Sequence, residues 1–206
     1  MEWEPGDVIA GIAVRLSPVK DVPTLLRAMK IASEKDPHLK LLIGGDGEDR
    51  QKLENMAKDL GLAGKVCFAG WLDDVNSFYN AIDINLLTSI SETFPYSLTE
   101  GTRMHKATIA SKVGGVPVLI DDGVNGLIFE PGDEKQLAQH LLALSQNREL
   151  RETFDFSEPH NTLCSKICAT PVLSEGGVRK AILNTLLSSS FSRSITLAPL
   201  FLCFSR

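Results

Sequence analysis

Glu92 and Glu100 stand eight residues apart in the run I-S-E-T-F-P-Y-S-L-T-E-G, from Ile90 to Gly101. The apolar residues Ile84 to Leu87 precede them and a helical stretch follows, so a buried strand should end near Leu87 and a loop should carry Glu92 outward. Pro95 suits the first helical position, where its missing N–H costs nothing and its fixed φ helps. The backbone N–H groups of Phe94, Tyr96 and Ser97 then fall in a turn without intrahelical partners, which favours an anion and phosphate above all. Glu100 falls in the second turn, where a carboxylate can accept two hydroxyl hydrogen bonds. An anion in the middle with hydroxyls on both sides is the chemistry of a sugar nucleotide.

The elements that must position these groups read as alternating strands and helices. Strands are expected at Val8–Val14, Leu39–Ile43, Val66–Ala69, Ile82–Leu87, Ala107–Ser111 and Gly126–Phe129. Between them lie helical patterns through Leu25 to Ile31, through Leu53 to Leu60 with Gly61 as its stop, and through Phe78 and Tyr79 behind an Asp73 or Asp74 cap. A last amphipathic helix spans Asp133 to Asn147, with Leu137, His140, Leu141 and Leu144 on one face. This alternation predicts an α/β fold, an open, doubly wound parallel sheet. Ligands bind such sheets beyond the carboxyl ends of the strands. Arg15, Lys20, the Gly45 loop, Trp71 and the Glu92–Glu100 loop all fall at that edge.

Composition narrows the function classes. The 206 residues are 43% hydrophobic and 23% charged, enough to fill the core of one ordinary domain with an appendage. A net charge of −5 provides no basic footprint for nucleic acid. The acidic start M-E-W-E-P-G-D does not read as a secretory or transit signal, and no apolar run reaches the length of a transmembrane segment. The four cysteines, at 67, 164, 168 and 203, form no C-x2-C pair, so a reducing, cytoplasmic setting is expected and a disulfide framework or metal site is not. A nicotinamide cofactor is disfavoured, because Gly45 and Gly47 follow the second strand and Arg50 stands where a third glycine would be needed. Residues 1–154 carry the regular pattern. Residues 155–206 form a serine-rich tail without sustained period, expected to be irregular and poorly ordered.

The E-x7-E pattern resembles the signature of the retaining glycosyltransferases of family 4, the glycosyl transferases group 1. R-L-S-P-V-K at residues 15–20 is similar to that family's R-L-x-x-x-K, and Gly114-Gly115-Val116-Pro117 to its G-G-x-P. Val118 departs from the acid that usually follows that proline. The resemblance runs from about residue 8 to 150 and implies the Rossmann-like, nucleotide-sugar-binding carboxyl-terminal half of a GT-B fold. The acceptor, a glycan or lipid-linked sugar, would be held by an amino-terminal domain outside this stretch.

By that resemblance, Arg15 and Lys20 stabilise the diphosphate of a UDP- or GDP-linked donor and Glu92 orients the transferred sugar, these three being the catalytic candidates. Glu100 binds the ribose hydroxyls, while Phe94, Tyr96 and Ser97 turn N–H groups to the phosphates. Gly45, Trp71 and Leu72 contact the nucleotide, although Gly45 can equally serve tight chain reversal and Trp71 can simply pack at a domain edge. No cofactor or metal is implied. The setting implied is polysaccharide or glycoconjugate synthesis, in the cytoplasm or at the inner membrane face. Two alternatives stay open: a non-catalytic nucleotide-sugar-binding fragment, and a GT-B-like sugar-nucleotide epimerase.

Overall fold

The computed structural model of the chain describes residues 3–93 and 95–154; Phe94 and the serine-rich segment 155–206 lie outside the described residues. Six strands, β1 (Val8–Ala13), β2 (Leu39–Gly44), β3 (Val66–Gly70), β4 (Ile84–Leu87), β5 (Ala107–Ser111) and β6 (Leu127–Phe129), form one sheet in the order β3-β2-β1-β4-β5-β6. Every pairing is parallel. The helices are α1 (Val22–Lys35), α2 (Arg50–Asp59), α3 (Val75–Ala81), α4 (Tyr96–Arg103), α5 (Val116–Leu119), α6 (Glu134–Gln146) and α7 (Arg148–Thr153). This is the expected doubly wound, Rossmann-like architecture.

Alternation within the strands divides the core in two. Ala10, Ile12, Leu41, Ile43, Ile84, Leu86 and Ile109 face one side, where Leu25, Leu26 and Met29 of α1, Leu53 of α2 and Leu137, Leu141 and Leu144 of α6 close over them. Ile9, Leu42 and Cys67 face the other side with Phe78 and Tyr79 of α3, and Leu87 and Ala110 meet Leu98 of α4 and Val116 of α5. Each fully buried leucine contributes about 1.5–3 kcal/mol over its exposed state. The helix starts are fixed locally: Asp74 accepts from Asn76 and Ser77 N–H, and Asp133 from Lys135 and Gln136 N–H. Gly61, with φ +70°, follows α2 in the left-handed conformation that ends a helix without Cβ strain.

The main differences from the sequence expectation are two boundaries and two short elements. β4 begins at Ile84, not Ile82, because the Asp83 carboxylate accepts from Ile9 N–H at 2.8 Å and so turns the chain into the strand. Pro95 is the N-cap of α4 and not its first helical residue. Its backbone is extended and its carbonyl accepts from Leu98 and Thr99 N–H, so the helix starts one residue later. A 3-10 turn at Pro18–Lys20 and the short helix α7 have too few residues to show a period in sequence.

The strand order reverses direction between β1 and β4, which opens a crevice at their carboxyl ends. Among the described residues no helix is long and apolar enough to cross a membrane.

Candidate functional site

Four loops leave the carboxyl edge of the sheet, and backbone hydrogen bonds lace them together. Gly45 N–H donates to the Gly70 carbonyl at 2.7 Å, joining the loops after β2 and β3. Leu16 N–H donates to Asp46 C=O and Asp49 N–H to Leu16 C=O, joining the loops after β1 and β2. Ile90 N–H donates to Val19 C=O at 2.9 Å, joining the loops after β1 and β4. Leu16 is fully buried and anchors the first loop in the core, leaving Arg15 beside it exposed. The R-L pair therefore splits into one residue that holds the loop and one that faces outward.

An open pocket of about 630 Å³ lies among these loops, and Arg15, Gly45, Trp71, Leu72 and Glu100 all line it, with Asp46, Gly47 and Val75. Gly45 is needed for the chain reversal: its φ is +116°, and a Cβ there would stand 1.9 Å from the Val14 carbonyl oxygen. Trp71 is 77% exposed, so among the described residues it does not pack into a core. Its ring is presented at the pocket.

Lys20 and Glu92 do not line that pocket; they meet each other. Lys20 Nζ lies 2.5 Å from Glu92 Oε1, and the Ser89 hydroxyl donates to the same oxygen at 2.8 Å. Neighbouring bonds hold both backbones. Thr88 Oγ1 donates to the Lys20 carbonyl and Ser111 Oγ to the Ser89 carbonyl, each at 2.7 Å. The G-G-V-P loop lies directly behind Glu92: a Cβ on Gly114, whose φ is +49°, would stand 1.8 Å from the Glu92 carbonyl oxygen. Gly114 thus shapes the support of the Glu92 loop, while Val116 and Pro117 open α5.

Tyr96 and Ser97 are the first two residues of α4, at positions whose N–H groups the helix itself does not use. Helix α4 rides close to the sheet, because a Cβ on Gly101 would stand 2.1 Å from Asn85 Nδ2. From below, Tyr79 Oη lies 3.1 Å from Glu100 Oε2 and 3.0 Å from the Ser97 carbonyl. Sequence reading missed Ser89 and Tyr79. Both look like ordinary strand-end and core residues, and only their partners distinguish them.

His105 and Lys106 belong elsewhere. They precede β5 and line a second pocket of about 400 Å³ with Asp83, Arg148 and Arg151, at the amino-terminal edge of the sheet. His105 takes φ +55° past the end of α4. His38 and His140 are also remote from the crevice loops, bonding to Asp7 and to the Ile128 carbonyl. Among the described residues no three His, Cys, Asp or Glu side chains gather to hold a metal ion.

This chain belongs to the glycosyl transferases group 1 family, whose pattern it matches over residues 2–156. It is 28% identical over 157 residues to the lipopolysaccharide core biosynthesis glycosyltransferase LpsE of Rhizobium meliloti, an alignment covering 71% of this chain and 46% of that protein. It is similar to the crystal structure of the C-terminal domain of LpcC, a glycosyl transferase group 1 protein of Francisella tularensis. There the identity is 29% and the TM-score 0.67, over 74% of this chain and 82% of that domain. HepE of Anabaena, crystallised with UDP-glucose, superposes with a TM-score of 0.71 at 26% identity, over 88% of this chain and 49% of HepE. The chain spans less than half the length of the curated relatives it matches.

Proposed function

We propose that residues 1–154 are the donor-binding half of a retaining glycosyltransferase that moves a sugar from a nucleoside diphosphate to an acceptor. The observation that carries this reading is the shared edge of the sheet. Arg15, Gly45, Trp71, Leu72 and Glu100 line one pocket there, while Lys20 and Glu92 meet on the adjoining pair of loops. The nucleotide would occupy the pocket, its ribose diol on Glu100 and its base beside Trp71 and Leu72. The diphosphate would take Arg15, Lys20 and the amides of Tyr96 and Ser97, with Phe94 expected beside them. Two cations and a helix N-terminus would stabilise the charge that grows on the leaving diphosphate as the glycosidic bond breaks. Glu92 would orient the sugar hydroxyls and stabilise positive charge developing at the anomeric carbon. Attack on the face the diphosphate leaves, assisted by that phosphate, would retain the configuration. No metal is needed in this scheme, because protein cations do its work.

The acceptor, a glycan or lipid-linked sugar, would be held by an amino-terminal half from a longer protein or a second chain. The likeness to LpsE, a lipopolysaccharide core biosynthesis glycosyltransferase, supports a role in polysaccharide or glycoconjugate synthesis, and the UDP-glucose held by HepE supports a UDP-sugar donor. The test is a thermal-shift titration of the chain and of Glu100→Ala with UDP, GDP, ADP and NAD. Ligands that bind only the folded state raise its stability by mass action, so weak sites register at millimolar concentration. One nucleoside diphosphate should stabilise the chain, NAD should not, and the variant should lose the effect. A cooperative melt unmoved by all four would refute the donor site.

A second reading is a domain that binds nucleotide sugar and transfers nothing, because the loops at the sheet edge supply donor contacts by themselves. Donor binding without hydrolysis or transfer, even when an acceptor half is added, would favour it.

A further inference from the structure

We propose that Tyr79 is a positioning residue for the nucleotide: its hydroxyl fixes the Glu100 carboxylate in the orientation that receives the ribose diol. The proposal rests on the reading of Glu100 as the ribose ligand and adds to it a residue outside the family motifs quoted above. Tyr79 sits on α3 and Glu100 on α4, and the two side chains meet at 3.1 Å. The tyrosine is almost wholly buried, packed edge-on against Phe78, whereas Glu100 is exposed at the pocket. A rigid buried donor thus reaches up to a flexible surface carboxylate.

A free glutamate on a helix surface samples many rotamers, and ordering it on ligand binding would cost affinity. The bond to Tyr79 settles that ordering beforehand. It engages Oε2 alone, and Oε1 has no partner among the described residues. One oxygen is held and the other remains to accept a hydroxyl. Burial, followed by the neighbouring Glu100 charge, raises the Tyr79 pKa far above its usual value, so the phenol keeps its proton at every physiological pH. The single phenolic proton is shared with a second acceptor, the Ser97 carbonyl at 3.0 Å, which places the same hydroxyl against the first turn of α4. The carboxylate and the helix start that would face the phosphates are therefore registered to one atom.

The test compares UDP with 2′,3′-dideoxy-UDP by calorimetry on the full chain, as wild type, Tyr79→Phe, Glu100→Ala and the double variant. Phenylalanine keeps the buried ring, and the Ser97 carbonyl retains the Asn85 amide at 3.3 Å, so the fold should persist. Dideoxy-UDP binding reports that it has. The wild type should prefer UDP, and Tyr79→Phe should weaken UDP about tenfold, the scale of one hydrogen bond to a charged group, without changing dideoxy-UDP. Glu100→Ala should erase the preference, and adding Tyr79→Phe to it should change nothing further. A Tyr79→Phe variant that weakens both ligands equally, or neither, overturns the positioning role while the Glu100 assignment stands. A wild type without preference for UDP overturns both.

Discussion

The Lys20 ammonium and the Glu92 carboxylate meet at 2.5 Å although 72 residues separate them in the chain. Their side chains are only 23% and 12% exposed, and Ser89 holds the same carboxylate oxygen. In the proposed mechanism Lys20 serves the diphosphate and Glu92 the sugar. The structure couples the two before any donor arrives, so an entering phosphate must share or displace Glu92 as the partner of Lys20.

That competition has a measurable consequence. Glu92→Gln releases Lys20 and should strengthen binding of UDP, which carries no sugar, by a few-fold, in keeping with roughly 1 kcal/mol for a partly exposed pair. Lys20→Met should weaken UDP by about 10- to 100-fold, the scale of a hydrogen bond between charged groups. Isothermal titration decides the matter. Unchanged affinity in both variants would remove Lys20 from the phosphate site.

Gly114 should be far less tolerant than another left-handed glycine. Gly114→Ala meets both a φ of +49° and the Glu92 carbonyl oxygen at 1.8 Å, whereas Gly132, at φ +80°, has open space around it. We expect Gly114→Ala to lose about 2–3 kcal/mol and Gly132→Ala about 1 kcal/mol in urea denaturation. Equal losses would mean that the loop behind Glu92 yields freely.

Cys67 should resist alkylation in the native state. Burial pushes its thiol up to about 11, so the reactive thiolate is scarce at neutral pH. Peptide mapping after iodoacetamide treatment should find Cys67 labelled only in denaturant. The native state also keeps a proton that the unfolded chain releases near pH 9, so this group's contribution to stability falls as pH rises from about 9 toward 11. Rapid native labelling at pH 7 would contradict the burial.

The cap of α3 carries a pH dependence of opposite sign. Hydrogen bonding from the Ser77 side chain, assisted by the backbone N–H groups of Ser77 and Asn76, lowers the Asp74 pKa. Its stabilisation is present above the ordinary carboxylate value and is lost as pH falls through the lowered one. Asp74→Ala should cost about 1 kcal/mol at neutral pH and less in acid, read by thermal melts across that range. A cost that did not shrink in acid would show that the charge is immaterial.

The amino-acid sequence by itself determined the elements and the edge at which the site lies. Apolar runs such as Leu39–Ile43, the cap at Asp74 and the stop at Gly61 act over a few residues, and alternating strands and helices in that arrangement leave few topologies. The positions of Arg15 and Glu92 on the loops after β1 and β4, and of Glu100 inside the helix that follows, were legible because the strand ends before them were legible. Only the tertiary structure decided which side chains meet. The pairing of Lys20 with Glu92 and the fit of Gly114 behind the Glu92 carbonyl depend on how loops from different strands lie against one another, and the reach of Tyr79 to Glu100 depends on how α3 lies beside α4. A local period carries no record of partners across loops. The loop contacts were set when β1 and β4 came side by side and their loops shared hydrogen bonds, and the Tyr79 contact when α3 came to lie beside α4, which is why Tyr79 reads as plain core in the sequence and meets Glu100 only in the fold.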